Sequence, residues 1–553
     1  MIPKFAIVPL AVLLCASIAR GAGEPKIVPQ PAPKRGGVLR LDTSSDIHSL
    51  DPTAIYSAFE GIAGYMVYRS LLDFDQNERL IPMMAETLPQ ISPDRLTYTF
   101  PLRHGVRFSN AREVVASDWV YSIERHLDPR NNSSYSNYYI NISGATAFTA
   151  AREKEQAAGA AAATAPRTIE PKTVSGLRAV DRYTLQIHLE KPDPIFSDVL
   201  ATPVSFVVPR EEVERLGPAF AAHPVGCGPF VLAQWSPGIK LRLDRNPNYF
   251  RPAEPYLDHV EIAIGPDAAT EIMMFERGEL DYVSMVSSAD YLRLKRSPAL
   301  RRCMYPVTGG DVIFISLNCE LPPFNDPRVR RAMNYAVDKR RILKVMLDRG
   351  SIAHGLLTPV NRAYNEKMLP YPYDPDRARA LLAEAGYPQG FDTELVVASD
   401  SELFMKAALV VERDLAAVGV KVELKKVQGQ AVYIGQKRKT VPMEVWDWSP
   451  NFSDPADTLN TLVNGERIAD DGCINTAFYS SEKVNRLFHL GTEEFDSAKR
   501  LRIYERIEEQ VFDDAPYLFL IQVDSDELHQ PWLKGVRPRA IWPSRLENAW
   551  IER

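Results

Sequence analysis

The residues best suited to chemistry lie in one ten-residue segment near the end of the chain, Trp446-Asp-Trp-Ser-Pro-Asn-Phe-Ser-Asp-Pro455. Alternation along a predicted strand places its two tryptophans on one face, and a proline-containing loop follows them. Large apolar rings beside hydrogen-bonding groups are typical of a cleft that binds a small molecule. Tryptophans at alternate strand positions also fit a hydrophobic core, and that alternative stays open. The candidate binding residues here are Trp446, Trp448, Asn451, Phe452 and Asp454.

No catalytic motif accompanies this segment. The sequence lacks a Gly-x-Ser-x-Gly nucleophile elbow, a His-Glu-x-x-His pair and a glycine-rich dinucleotide fingerprint. Its 9 histidines are scattered, and no Cys-x-x-Cys or Cys/His spacing suits zinc. We therefore expect a binding protein that is not an enzyme and needs no cofactor and no metal. A secreted hydrolase with an unfamiliar site is the remote alternative.

The length and charge of the chain restrict its class. At 553 residues it is longer than the roughly 250–300 residues at which a single hydrophobic core stops growing, so at least two domains are expected. The net charge of -6 is spread along the sequence, without a long basic run or an aromatic-basic stripe. A nucleic-acid partner is therefore not expected.

The N-terminus has the pattern of a secretory signal peptide over residues 1–22. Lys4 precedes an apolar run from Phe5 to Ala19, and the small residues Gly21 and Ala22 follow. Residues 23–35 are rich in proline and are predicted to form a flexible leader. A lipid anchor on Cys15 is the minor alternative, because the residue before it is leucine rather than a small residue. We expect a soluble mature protein in the periplasm.

Four cysteines follow the predicted signal peptide, and an oxidising compartment would permit disulfides between them. Four cysteines allow three pairings, which the sequence does not distinguish. Cys303 and Cys319 flank a predicted hairpin and could bridge, whereas buried free thiols are the alternative. The remaining two are Cys227 and Cys473.

The predicted elements indicate a mixed α/β protein. Two predicted strands, Glu394–Val397 and Val420–Leu424, flank a helix at about 403–418, which implies a crossover unit. The glycine-rich turn in Val225-Gly-Cys-Gly-Pro-Phe230 predicts entry into a hairpin and lacks the lysine of a phosphate loop. Residues 149–165 are alanine-rich and predict a helical surface insertion.

Several blocks together resemble one family. They are Ser49-Leu-Asp-Pro52, Tyr98-Thr-Phe-Pro-Leu-Arg-His-Gly-Val-Arg-Phe108, Val225-Gly-Cys-Gly-Pro-Phe230, Arg245-Asn-Pro-Asn-Tyr249, Pro323-Phe-Asn-Asp-Pro-Arg-Val-Arg-Arg-Ala332, and Asp454-Pro455 with Leu459-Asn-Thr461. Their order and spacing resemble the peptide/nickel class of ABC-transporter solute-binding proteins, family 5. This class includes the periplasmic dipeptide- and oligopeptide-binding proteins.

The resemblance implies a two-lobed periplasmic-binding-protein fold with mixed sheets, in which a ligand cleft lies between lobes that close by hinge motion. The first lobe would be discontinuous and would carry an extra subdomain. The resemblance also implies a monomer that delivers its solute to an ABC permease in the inner membrane. The expected parts are lobe I (36–53, 200–306 and 523–553), the extra subdomain (54–199) and lobe II (307–522).

The resemblance also implies roles for single residues. It favours Trp448 over Trp446 as a wall of the pocket. In peptide binders an aspartate of this loop pairs with the ligand's amino group, and the matching position here is Asn451. A neutral amide offers no charge pairing. Either Asp447 or Asp454 supplies the charge, or the ligand is not a peptide with a free amine.

On the facing lobe, the resemblance implies that Tyr56 and Ala58 lie against the ligand backbone, so that a peptide would bind as an added strand. A solvated loop is the alternative there. Tyr138 is a further candidate wall from the subdomain. The expected ligand is a peptide or peptide-like small solute, and the alternatives are a metal chelate, an opine, haem or a short sugar. The absence of histidine between Trp446 and Pro455 disfavours a nickel chelate.

Overall fold

A computed structural model describes the chain from residue 32 onward, with internal gaps. The described residues are 32–43, 46–55, 58–133, 135–158, 171–428, 438–470, 473–541 and 544–552, without the side chains of 58 and 59. The predicted signal peptide lies outside them, and so does Tyr56. The end of the predicted leader, 32–35, has no regular secondary structure. No helix in the described part of the chain is long and apolar enough to cross a membrane.

The described residues form strands and helices in a mixed order. The strands are β1 (Val38–Thr43), β2 (Leu72–Phe74), β3 (Leu80–Pro82), β4 (Gln90–Ile91), β5 (Thr97–Pro101), β6 (Leu177–Asp181), β7 (Thr184–His188), β8 (Phe230–Ser236), β9 (Lys240–Arg245), β10 (His259–Ile264), β11 (Tyr282–Val283), β12 (Met304–Leu317), β13 (Gly350–Ile352), β14 (Phe391–Ala398), β15 (Val420–Val427), β16 (Met443–Trp448), β17 (Tyr517–His529), β18 (Leu533–Lys534) and β19 (Trp550–Ile551). The helices are α1 (Ala58–Val67), α2 (Ala116–Leu127), α3 (Ala145–Ala158), α4 (Phe196–Val199), α5 (Arg210–Leu216), α6 (Ala268–Glu276), α7 (Ser288–Arg296), α8 (Pro298–Arg301), α9 (Pro327–Ala336), α10 (Lys339–Val345), α11 (Pro375–Glu384), α12 (Glu402–Ala416), α13 (Pro455–Leu462), α14 (Glu482–Glu493) and α15 (Ser497–Asp514).

The largest sheet has the order β11-β17-β12-β16-β14-β15, and β13 also pairs with β17. Within it, β14 and β15 run parallel and are joined through α12, so the predicted crossover unit is confirmed. A second sheet has the order β1-β10-β9-β8, in which β8 and β9 form the predicted hairpin. A third sheet has the order β4-β5-β7-β6.

Hydrophobic side chains form separate clusters rather than one core, as the chain length predicts. The clusters lie within residues 312–521, within 71–227 with the addition of Phe452, within 39–282 together with 533–551, and within 272–303 together with Leu528. The exact lobe boundaries stay a prediction.

Two long antiparallel strands connect the 312–521 cluster to the small 272–303 cluster. β12 has its C-terminal half in the first cluster and packs Met304 against the second. β17 begins in the first cluster and places Leu528 in the second. Their pairing is irregular between Val307 and Asp311, where two glycines occur. The predicted lobe boundaries fall within both strands, after residue 306 near the start of β12 and after residue 522 in the middle of β17.

The predicted hairpin between Cys303 and Cys319 is wrong. The residues between them form the single 14-residue strand β12. At about 3.3 Å per residue its ends lie roughly 40 Å apart, far beyond the ~7 Å between Cα atoms that a disulfide can span. Cys227, Cys303, Cys319 and Cys473 are all free thiols.

Candidate functional site

The candidate loop joins β16 to α13. β16 pairs antiparallel with β12, with Trp448 opposite Val312. The helix begins at Pro455, and the Asp454 side chain caps it by accepting a hydrogen bond of 2.9 Å from the backbone N–H of Ala456. Pro455 occupies the first helical turn, where its missing N–H has no cost. The loop is therefore fixed at both ends by regular structure.

The two tryptophans have different environments on β16. Trp446 is 6% exposed and belongs to the 312–521 cluster. Trp448 is partly buried against that cluster, and its indole N–H has no hydrogen-bond partner among the described residues. A buried donor without a partner is costly, so it is suited to bonding a ligand or water. Of the two, Trp448 is thus the less tightly packed, and its indole N–H is left without a partner among the described residues.

Asn451 lies in a hydrogen-bonded group with two other side chains. Its backbone N–H donates to Asp457 at 2.7 Å, and its side-chain amide donates to Asp457 at 3.2 Å and to the Tyr138 hydroxyl at 3.0 Å. The Tyr138 hydroxyl in turn donates to Asp457 at 3.2 Å. Burial raises the pKa of Asp457 to about 6, although these hydrogen bonds lower it.

The sequence analysis missed Asp457. It lies in the first turn of α13, 3 residues after the Asp454 cap, where an acidic side chain favours the helix N-terminus. Its position at the helix start already accounts for an acidic residue. Its hydrogen bond with Tyr138 is not visible in the sequence, because Tyr138 is 319 residues away. The one available signal is their spacing: Asn451 and Asp457 are six residues apart, in a loop and in the helical turn that follows it, and could therefore lie side by side.

Phe452 is 1% exposed and lies among hydrophobic residues of the facing segment. Every other buried residue of its cluster lies between 71 and 227. Its ring contacts that of Tyr138 edge to face, with centroids 6.5 Å apart. The structure therefore brings Phe452, Asn451 and Tyr138 together, and it surrounds Phe452 with protein.

Asp454 forms a buried ion pair with Arg500 of α15. The Asp454 and Arg500 side chains are each 6% exposed and approach to 2.5 Å. Arg500 also donates to the Gly491 carbonyl oxygen at 3.0 Å. The charge of Asp454 is thus paired within the protein, and the residue has a structural role as the cap of α13 and the partner of Arg500.

A second acidic group lies at the end of β16. Burial, reinforced by the charge of Asp311, raises the pKa of Asp447 to about 6. Burial also raises the pKa of Asp311, which accepts a hydrogen bond of 2.6 Å from the Ser449 hydroxyl. Asp447 lies opposite Ile313 on β12, so Asp311 is its diagonal neighbour on the same face. A cationic group of a ligand would relieve the repulsion between these carboxylates.

Arg362 forms another bridge between distant segments. Its backbone N–H donates to the Ser453 carbonyl oxygen at 2.9 Å. Its guanidinium contacts Asp198 at 3.1 Å and the Glu78 carbonyl oxygen at 3.2 Å. Burial raises the pKa of Asp198 to about 7 despite this arginine. Sequence reasoning missed Arg362, which has no motif around it.

The side chains of two further predicted site residues, Tyr56 and Ala58, are not described by the structure. Tyr56 lies outside the described residues, and Ala58 begins α1 with a side chain that is likewise outside them. Within the described ranges, no group of three or more His, Cys, Asp or Glu side chains is arranged to hold a metal ion.

Separate hydrophobic clusters connected by two long strands, with a loop of one segment facing another, fit the two-lobed fold of the periplasmic binding proteins. The solved structures agree. A periplasmic binding protein DppA from Helicobacter pylori, in complex with the peptide STSA, superposes with a TM-score of 0.77 at 25% identity, covering 94% of this chain and 99% of that one. An oligopeptide-binding protein 2 of clavulanic acid biosynthesis gives 0.84 at 24% identity, covering 95% and 97%.

The chain belongs to family 5 of the bacterial extracellular solute-binding proteins, whose model matches residues 79–470. It is 26% identical to a glutathione-binding protein of Escherichia coli over 500 residues, which cover 89% of this chain and 90% of that protein. It is 28% identical to heme-binding protein A of Haemophilus influenzae over 471 residues, which cover 82% and 81%. The predicted family and fold class are thus confirmed.

Proposed function

We propose that this chain captures a peptide or peptide-like solute in a cleft between its two lobes and delivers it to an ABC permease in the inner membrane. It acts in the periplasm as a monomer and without catalysis. The observation that carries the proposal is the pair of carboxyls beside the loop, Asp311 and Asp447, which lie on one face of the sheet and both have a raised pKa. A pair of carboxylates suits the amino group of a short peptide.

In this proposal a positive charge of the ligand meets Asp447 and Asp311 rather than Asn451. Asn451 and Asp457 already bond each other and Tyr138, so an incoming ammonium would have to displace these hydrogen bonds. Asp447 instead has a neighbouring carboxyl of like charge, and a cation between them gains from both. The negative charge that Asn451 lacks would thus be supplied by Asp447 on β16 and Asp311 on β12.

Affinity for a peptide with a free amine is expected to rise with pH. The pKa of Asp447 is about 6, so its ionised fraction rises from ~10% at pH 5 to ~90% at pH 7. Since only the carboxylate pairs with a cation, affinity for trialanine should increase by up to about tenfold across this range. Isothermal titration calorimetry at both pH values measures the change.

Two controls isolate the carboxylate. Asp447→Asn keeps the shape of the side chain without the charge, and N-acetyl-trialanine lacks the cation; each should flatten the pH dependence. Equal pH slopes for wild type and Asp447→Asn would show that the ligand's charge does not lie beside this residue.

The runner-up is a non-peptide solute, such as haem, an opine, a metal chelate or a short sugar. One observation supports it, the 28% identity to heme-binding protein A. A structural neighbour bound to agropinic acid has the same fold. Titration with hemin tests the haem form of the runner-up: a shifted Soret band would support haem binding, and an unchanged spectrum would remove haem from the alternatives.

A further inference from the structure

Phe452 forms an apolar contact between two segments that are far apart in sequence. It projects from the loop after β16, yet the buried residues around it all belong to 71–227. Ile195 packs against both this cluster and the 312–521 cluster, which places the two apolar surfaces side by side. A fully buried phenylalanine removes a large apolar area from water, so this contact favours the arrangement in which the segments meet.

Polar contacts surround this apolar one. The hydroxyl of Tyr138 from the 71–227 side bonds both Asn451 and Asp457. A second polar bridge joins Arg362 to Asp198, whose side chain is 5% exposed while that of Arg362 is 35% exposed. The backbone of Arg362 is bonded to the loop itself at Ser453. The loop thus reaches the facing segment through one apolar and two polar contacts.

We propose that Phe452, Tyr138 and Arg362 form an interlobe latch, which stabilises the closed form by direct contact between the lobes. The inference rests on the proposed function, in which the lobes close on a solute. It gives Phe452 and Tyr138 the role of positioning residues, although the sequence analysis predicted that they contact the ligand. Ligand affinity then depends on side chains that act through lobe closure.

The latch has a definite thermodynamic consequence. The apparent dissociation constant equals the intrinsic one divided by the fraction of protein that can close on the ligand. Weakening the latch lowers that fraction and weakens binding of every ligand by the same factor. Removal of a direct ligand contact instead changes the affinities of different ligands unequally, because it acts on one chemical group.

The test compares two latch variants with two matched controls. Arg362→Gln and Phe452→Ala weaken the latch. Arg328→Gln removes an arginine that pairs with Asp326 in its own segment, and Phe404→Ala removes a phenylalanine buried in the 312–521 cluster. Circular dichroism first establishes that each variant is folded. Calorimetry with glutathione and with trialanine then gives affinities, and small-angle X-ray scattering gives the ligand-free radius of gyration.

We expect both latch variants to bind glutathione and trialanine at least about fivefold more weakly, by a similar factor for each, while folded controls stay within about twofold. Unchanged affinities, or a loss confined to one of the two ligands, would overturn the latch. If the wild type binds neither peptide, the proposed function fails on its own. The scattering then decides: a larger radius of gyration in both latch variants supports the latch, and equal radii overturn it.

Discussion

Replacing Arg500 with methionine is expected to lower the free energy of unfolding by about 3–5 kcal/mol, because it leaves a buried charge without its partner. The Asp454 carboxylate would remain at the start of α13 with a 6% exposed side chain and no arginine beside it. The Gly491 carbonyl oxygen would also lose a donor. Since Asp454 ends the candidate loop, peptide binding should weaken together with stability. Urea unfolding followed by tryptophan fluorescence measures the effect.

Two controls separate the charge from the packing. Adding Asp454→Asn to Arg500→Met removes the unpaired charge and keeps a good helix cap, so it should restore part of the loss. Arg486→Met breaks an exposed pair with Glu482 on the adjacent α14, where the two side chains are 70% and 93% exposed, and should change stability within about 0.5 kcal/mol. Equal effects of Arg500→Met and Arg486→Met would contradict the buried ion pair.

Replacing Gly309 with alanine should destabilise the crossing of the two long strands. A Cβ atom at this position would overlap the backbone carbonyl oxygen of Val523 on β17. Backbone cannot rotate away as a side chain does, so we expect a cost of about 3 kcal/mol, near the upper end for overpacking. Because both strands lie where the lobes are predicted to hinge, weaker ligand binding should accompany the loss of stability.

The adjacent glycine provides the matched control. A Cβ on Gly310 would lie 3.1 Å from the Ala540 carbonyl oxygen and 3.3 Å from Pro450, which requires shifts of only a few tenths of an ångström. Gly310→Ala should therefore cost clearly less than Gly309→Ala in the same urea unfolding experiment. Equal unfolding midpoints for the two variants would show that the strands are not packed as described.

Local sequence patterns predicted the elements that local interactions determine. Strand and helix patterns located the crossover unit of β14, α12 and β15. The same reasoning failed between Cys303 and Cys319. The Gly309-Gly310 pair there is a common turn signal, yet it occupies an irregularity inside one continuous strand. Only the pairing of β12 with β17 shows that the two glycines lie within a strand and do not form a turn. β17 lies more than 200 residues away in sequence.

The candidate site was predictable as a segment and not as an arrangement. Composition was sufficient to select the loop after Trp448. It did not show which side chains of the loop already pack against or bond other residues of the protein. The burial of Phe452 depends on a cluster from 71–227, and the bond from Tyr138 to Asp457 spans 319 residues. The approach of Asp311 to Asp447 depends on the register between β12 and β16. Such long-range pairings leave no periodic signal in one sequence.

Native mass spectrometry of the full chain tests the central claim most directly. The protein is incubated with an equimolar mixture of di- to pentapeptides, glutathione and hemin, and the intact complexes are weighed and then dissociated. We predict complexes of one peptide per chain, with the bound peptides released intact. A chain that retains no added peptide, or that retains hemin alone, would contradict peptide capture and transfer the function to a non-peptide solute.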